Sequence, residues 1–138
     1  MVEIISFPIE TDAPYRVLVV DDEPAIRGVL CEFLQEFGFA PVAVENADQA
    51  LAVLDDPEPV DLVFSDVRMP GSLDGYGLAR WILKHRPQLP VILATGDLGA
   101  INAAAGLSGV ETFAKPYDFD MAVRKIRDTI LHRQARRA

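Results

Sequence analysis

The chain contains a single cysteine, Cys31, among 138 residues, and its apolar stretches are all short. One cysteine excludes an internal disulfide, so we expect a reducing, cytoplasmic compartment. A transmembrane helix needs about 20 consecutive apolar residues, and we therefore expect no association with a membrane. The first residues lack the basic run that is typical of a secretory signal, and Pro8 follows soon after.

Basic residues are fewer than acidic residues. Thirteen Lys and Arg stand against 21 Asp and Glu, which gives a formal net charge of -8. Nucleic-acid phosphates require basic surfaces, so we expect no direct binding of nucleic acid by the body of the domain. A chain of this length suits one domain that buries roughly 68% of its unfolded surface. We expect residues 1–15, with two prolines, to be a loose leader and residues 16–135 to form the domain.

Short apolar runs that are typical of strands alternate with helical repeats along the chain. The runs lie at 17–20, 41–44, 60–65, 90–94 and 110–113. Pro41 places the second run at a sheet edge, and Asn46 is a plausible cap for the helix that follows. The helix predicted between 98 and 107 is weak because it contains two glycines. Five such βα units predict an α/β fold, a single doubly wound parallel sheet with right-handed crossovers.

Polar residues stand directly after four of the predicted strands. In an open parallel sheet, residues just past the carboxyl ends of the strands meet in one crevice. Three carboxylates, a hydroxyl and an ammonium group in one crevice predict a site for Mg²⁺ and a phosphoryl group. The residues that supply these groups are Asp21, Asp22, Asp66, Thr95 and Lys115.

Each of these residues has an expected role. Mg²⁺ takes oxygen ligands, and Asp22 and Asp66 are the expected direct ligands, with Asp21 ligating the metal or holding one of its waters. A carboxylate can attack phosphorus to form an acyl phosphate, and Asp66 is placed as that nucleophile. Lys115 would stabilise the phosphoryl oxygens by its charge, and the Thr95 hydroxyl would donate a hydrogen bond to them.

These motifs resemble those of response-regulator receiver domains, the CheY-like phosphoacceptor modules of two-component signalling. The resemblance covers roughly residues 16 to 135 and rests on five short motifs at 18–24, 66–70, 74–75, 95–96 and 115–116. It implies a flavodoxin-like (βα)5 domain with a five-stranded sheet of order 2-1-3-4-5. It also implies that the backbone carbonyl of Arg68 joins the magnesium ligands.

For function, the resemblance implies a stand-alone receiver that accepts a phosphoryl group on Asp66 from a histidine kinase or a histidine phosphotransfer protein. Such a receiver would signal by binding a downstream protein target or by passing the phosphoryl group onward. Its own phosphorylation and dephosphorylation would be its only catalysis, so it is not expected to be an enzyme. A second copy of the chain, in a homodimer, is a further possible partner.

Two other functions fit part of the pattern. Enzymes of the haloacid dehalogenase type also use a strand-end aspartate with Mg²⁺, but they carry a second acid two residues later, where this chain has Arg68. A binding module with the same fold would never turn over phosphate. Each motif alone also has an ordinary structural reading: Asp21 and Asp22 as a helix cap, Asp66 as the start of a turn, Lys115 as a surface lysine.

Two features depart from, or add to, the family pattern. Receivers usually carry an aromatic switch residue three positions before their lysine, and here that position is Thr112, with Phe113 beside it. Arg68 and Asp97 each stand two positions after a motif residue, where similar receivers control the access of water to the acyl phosphate. We expect these two side chains to pair at the mouth of the crevice and to shield the phosphoryl group.

Overall fold

A computed structural model describes residues 14–97 and 109–137 of the chain. Its strands are β1 (Arg16–Val20), β2 (Ala40–Val44), β3 (Leu62–Asp66), β4 (Val91–Thr95) and β5 (Val110–Ala114). They form one sheet of order β2-β1-β3-β4-β5, and every neighbouring pair is parallel. The predicted α/β class, strand order and edge position of the second strand are confirmed.

The helices in the described part of the chain are α1 (Pro24–Glu36), α2 (Ala47–Asp55), α3 (Gly75–His85) and α4 (Phe119–Arg137). Pro24 stands in the first turn of α1, where a missing N–H costs nothing. The Asn46 side chain caps α2 by accepting the Gln49 N–H, as predicted. The helix predicted between 98 and 107 and most of the leader lie outside the described residues.

The sheet is covered on both faces by helices. Strand residues that point to one face pack with buried side chains of α2 and α3, and those on the other face pack with α1 and α4. Every residue of β3 and β4 is buried, because these strands lie inside the sheet and both faces are covered. No helix within residues 14–97 or 109–137 is both long and apolar enough to cross a membrane.

The strand register brings the predicted site residues to one edge. Asp66, the last residue of β3, pairs with Ala94, and Thr95, the last residue of β4, pairs with Ala114. Lys115 follows immediately after β5, and Asp21 follows immediately after β1. Because all the strands are parallel, these four residues lie at the same, carboxyl-terminal edge of the sheet.

Candidate functional site

Asp21 is held firmly by the backbone around it. Its N–H donates to the Val44 carbonyl at 3.1 Å, and its Oδ1 accepts the Glu23 N–H at 2.9 Å. The Arg27 guanidinium donates to the Asp21 carbonyl at 2.8 Å. With only 4% of the residue exposed, Asp21 presents a carboxylate in a fixed position behind the site.

Three carboxylates meet as the sequence predicts. One oxygen from each of Asp21, Asp22 and Asp66 lies within 4.8 Å of the others. Asp22 is exposed and Asp66 is 9% exposed, so the cluster opens toward solvent on one side. Grouped carboxylate oxygens with access to water are a donor set that suits Mg²⁺, which keeps several waters in its octahedral shell.

The ordinary structural readings of these acids do not hold. Glu23, rather than Asp21 or Asp22, occupies the N-cap position of α1, and no side chain caps that helix. Asp66 is part of β3 and pairs with Ala94 rather than starting a turn. Asp21 does make a local turn contact through the Glu23 N–H, but that contact does not account for its meeting with Asp66, which comes from a different strand.

Lys115 is the cationic partner of this cluster. Its Nζ lies 3.4 Å from Asp66 Oδ2, 3.7 Å from Asp21 Oδ2 and 4.0 Å from Glu23 Oε1. Its side chain is only 20% exposed, so it is not an ordinary surface lysine. One ammonium group among three carboxylates leaves the site with an excess of negative charge that a bound cation would offset.

The protonation of Asp66 reflects this excess. Burial raises the pKa of the Asp66 carboxyl above its usual value of 3.8. Lys115 lowers that pKa, while Asp21 and Asp22 raise it by repulsion, and the net direction is upward. The folded chain therefore disfavours the Asp66 anion in the absence of further positive charge, which is a physical reason for a cation to bind here.

Thr95 and Lys115 open on the same cavity as Asp66. The Thr95 residue is 3% exposed, and its Oγ1 accepts the Asp97 N–H at 3.1 Å. An accepted hydrogen bond does not use the hydroxyl's own hydrogen, which is the one a phosphoryl oxygen would accept. The open cavity has a volume of about 600 Å³ and is lined by Asp66, Arg68, Thr95, Gly96, Asp97 and Lys115.

Arg68 and Asp97 pair across the mouth of this cavity, as the sequence suggests. Arg68 Nη2 donates to Asp97 Oδ2 at 2.8 Å, with 79% of the Arg68 side chain and 41% of the Asp97 side chain exposed. The role of the Arg68 backbone carbonyl as a metal ligand stays a prediction. The Arg68 side chain itself lines the cavity and is paired with Asp97.

Two features close to the predicted site residues in the chain were not predicted from the sequence. Glu23 lies within ion-pair distance of Lys115, and the adjacency of Glu23 to the two aspartates was the signal for it. Tyr117, two residues after Lys115, has a buried hydroxyl. Burial and the charges of Asp21, Asp66 and Glu23 raise the pKa of this phenol strongly, so the hydroxyl keeps its proton.

Comparison with known proteins points to one family. A family model described as the response regulator receiver domain matches residues 17–127. The DNA-binding transcriptional regulator NtrC of Salmonella typhimurium is 39% identical over 120 residues, which make up 86% of this chain and 25% of that protein. The chain thus spans about a quarter of the length of this relative.

Solved structures give the same result. The signal receiver domain of an HD domain-containing protein from Pseudomonas fluorescens superposes with a TM-score of 0.82 at 28% identity, covering 96% of this chain and 98% of that one. The response regulator TrrA from Thermotoga maritima, solved in complex with Mg²⁺ and BeF, gives a TM-score of 0.75 at 34% identity, covering 83% and 98%. With fold, acidic cluster and sequence in agreement, the chain belongs to the response regulator receiver domains of two-component systems.

Proposed function

We propose that this receiver accepts a phosphoryl group on Asp66 from a histidine kinase or a histidine phosphotransfer protein. The observation that carries the proposal is the position of the Asp66 carboxylate, which lies at the end of β3 with Lys115 3.4 Å away and two more aspartates beside it. A nucleophilic carboxylate, a cation to neutralise the incoming phosphoryl group and a set of metal ligands are the groups this transfer needs.

In the proposed transfer, one Asp66 oxygen forms a bond to phosphorus while the P–N bond of the donor's phosphohistidine breaks. The Lys115 ammonium, already paired with Asp66 Oδ2, stabilises the charge on the phosphoryl oxygens. The Thr95 hydroxyl, held by the Asp97 N–H, donates to one of those oxygens. Asp66 and Thr95 end β3 and β4, two strands whose residues are all buried, and this packing keeps the reacting groups in place.

We propose Mg²⁺ as the cofactor, held by Asp22 and Asp66, with Asp21 as a ligand or as the acceptor for a metal-bound water and the Arg68 carbonyl as a further ligand. When bound, Mg²⁺ would supply positive charge that offsets the repulsion among the three carboxylates and stabilises the phosphoryl oxygens. The clustered carboxylate oxygens and the upward shift in the pKa of Asp66 support this assignment.

We further propose that output proceeds through a downstream protein target or onward phosphotransfer, with a homodimer as another form of partner. DNA binding is a property of the longer NtrC relative, and we assign none to this domain, whose net charge is -8. Because the chain matches a quarter of NtrC, the stand-alone arrangement stays a prediction. We propose no catalysis beyond formation and loss of the acyl phosphate.

Incubation with acetyl phosphate and Mg²⁺, followed by intact mass spectrometry, tests the assignment. We expect the mass gain of one phosphoryl group in the wild-type chain, and no gain in Asp66→Asn. Asp55→Asn is the matched control because Asp55 is exposed at the far end of α2, and it should label normally. Undiminished labelling of Asp66→Asn would refute the assignment.

The same experiment separates the two other functions. A haloacid dehalogenase-type enzyme would release phosphate catalytically from acetyl phosphate and accumulate little covalent product. A binding module that never turns over phosphate would show neither a mass gain nor phosphate release. The exposed Arg68 in place of a second acid, together with its contact to Asp97, argues against the first of these.

A further inference from the structure

Asp22, the exposed member of the acidic cluster, lies in the short loop between β1 and α1. The peptide groups on either side of it are held in place. The Asp21 N–H donates to the Val44 carbonyl at 3.1 Å, and the Glu23 N–H donates to Asp21 Oδ1 at 2.9 Å. The peptide group between these two joins Asp21 to Asp22, and its orientation sets the direction in which the Asp22 side chain leaves the backbone.

Arg27 holds this middle peptide group. Its Nη1 donates to the Asp21 carbonyl at 2.8 Å, and within residues 14–97 and 109–137 no other hydrogen bond reaches that carbonyl or the Asp22 N–H. The contacts of the Asp21 N–H and carboxylate act on other groups and leave this one free to turn. A peptide group is a rigid plane between two soft dihedral angles, so one bond to its oxygen fixes its orientation.

The start of α1 places Arg27 for this contact. Pro24 lies in the first turn of the helix, and the Arg27 N–H donates to the Glu23 carbonyl at 3.0 Å. Helical side chains lean toward the N-terminus of their helix, so the Arg27 side chain reaches back over the loop before α1. A cation near a helix N-terminus is unfavourable, because that end carries a partial positive charge. The stability of α1 therefore gives no reason for an arginine here, and the bond to the Asp21 carbonyl does.

We propose that Arg27 is a positioning residue for the metal site. By fixing the peptide group between Asp21 and Asp22, it holds the exposed Asp22 carboxylate within reach of the cation that Asp66 also binds. This inference rests on the proposed function, since it concerns the same Mg²⁺ site. It assigns a part in that site to a helix side chain that contacts neither the metal nor the phosphoryl group.

The first test is titration of the metal-free chain with Mg²⁺ alone, by calorimetry and without a phosphoryl donor. Arg27→Met removes the N–H donors and the charge but keeps an apolar stem. Loss of a nearby positive charge would by itself favour a bound cation and lower Kd. Loss of positioning acts in the opposite direction. We expect Kd to rise by about tenfold, as is usual when a partner outside the direct ligands is removed.

Two further variants separate the bond from the charge. Arg80→Met is the matched control because Arg80 is exposed on α3, and it should leave Kd unchanged. Arg27→Lys keeps both a positive charge and an N–H donor, so it should recover most of the affinity that Arg27→Met loses. Circular dichroism in EDTA should match wild type for all three variants, because the bond that Arg27 makes lies in a loop outside the core.

The second test observes the peptide group itself in the metal-free protein. A hydrogen bond to a carbonyl polarises its peptide group, so loss of the bond changes the ¹⁵N NMR signal of the following amide. We expect Arg27→Met to shift the amide ¹⁵N signal of Asp22, while that of Val19, inside β1, stays in place.

An unchanged or lower Kd in Arg27→Met, or an unmoved Asp22 signal, would overturn the inference and leave the proposed function intact. If the wild-type chain itself binds no Mg²⁺ or gains no mass on Asp66, the proposed function fails as well, so the two failures are distinguishable.

Discussion

The guanidinium group of Arg68 lies 2.8 Å from the carboxylate of Asp97, across the mouth of the cavity that contains Asp66. Both side chains are substantially exposed, so solvent screens the pair and it contributes little to stability. We therefore expect any effect of the pair on function to be steric. A closed ion pair at the entrance would reduce the access of water to the acyl phosphate proposed on Asp66 and would favour a signal that persists or is handed on.

Opening this entrance should shorten the lifetime of the phosphorylated chain. We expect the double variant Arg68→Ala with Asp97→Ala to lose phosphate several-fold faster than wild type at constant Mg²⁺, measured by intact mass over time. The control is Arg124→Ala with Asp120→Ala, which removes an exposed ion pair of similar length, 2.7 Å, on α4. Unchanged or slower decay in the first variant would show that these two side chains do not control the attack of water.

Gly75 should tolerate no side chain, because α3 begins against the strand that carries Asp66. A Cβ on Gly75 would overlap the Asp66 carbonyl oxygen and would lie 2.7 Å from the Val67 Cα. We expect Gly75→Ala to lower the free energy of unfolding by about 1–3 kcal/mol and to slow labelling of Asp66, since the backbone beside it must move.

Gly28→Ala is the matched control for Gly75→Ala. Gly28 lies within α1, and a Cβ there would meet no atom within 4 Å. We expect this change to raise the free energy of unfolding by up to about 1 kcal/mol, through helix propensity, and to leave labelling unchanged. Urea unfolding and acetyl phosphate labelling of both variants test the contrast. Equal effects of the two alanines would contradict the role assigned to the close approach at Gly75.

The positions of Asp66 and Lys115 could be predicted from the sequence because their strands are buried and parallel. An apolar run that ends in a polar residue fixes where the strand ends, and a doubly wound sheet brings those ends to one edge. The exact bounds were less predictable. β3 begins at Leu62 rather than at Val60, and Asp61 just before it accepts the Arg16 N–H through its carboxylate at 2.7 Å.

The surroundings of Tyr117 could not be predicted in this way. A five-residue edge strand such as β5 has no strong alternation, so the sequence did not show that Phe113 joins Phe64 and Tyr117 on the α1 and α4 side of the sheet. Whether a phenol hydroxyl is buried without a partner depends on packing from three elements that are distant in sequence. The pairing of Arg68 with Asp97 was predictable because both flank motif residues that meet in one crevice.

The stability of the metal-free chain should depend on the charge of Asp66. Burial raises the pKa of this carboxyl in the folded state above its usual 3.8, and Lys115 only partly opposes the rise. The stabilising contribution of protonated Asp66 is therefore fully present below pH 3.8 and is lost as the pH rises through the folded-state pKa. Asp66→Asn, which cannot ionise, avoids this loss.

We therefore expect Asp66→Asn to have a higher Tm than wild type at neutral pH in EDTA, by a few degrees. The difference should shrink as the pH falls toward the usual pKa of the carboxyl. Thermal unfolding followed by circular dichroism across that pH window measures it. A Tm of Asp66→Asn at or below that of wild type at neutral pH would mean that the ion pair with Lys115 outweighs the cost of burying Asp66.

Mg²⁺ affinity should depend more on Asp22 than on the charge of Asp66. Asp22→Ala removes a carboxylate from the cluster altogether, whereas Asp66→Asn keeps an oxygen at the same place and relieves repulsion with Asp21 and Asp22. Hard cations depend on the number and charge of their oxygen ligands, so we expect the larger loss of affinity in Asp22→Ala. Calorimetric titration of both variants with Mg²⁺ measures the order of the two affinities, with Asp55→Asn as the control that should bind like wild type.

Because Asp22 is exposed, its truncation should change Tm little in EDTA, which separates a ligand role from a folding role. Wild-type affinity in Asp22→Ala would remove Asp22 from the metal's direct ligands and leave Asp21 and Asp66 to hold it.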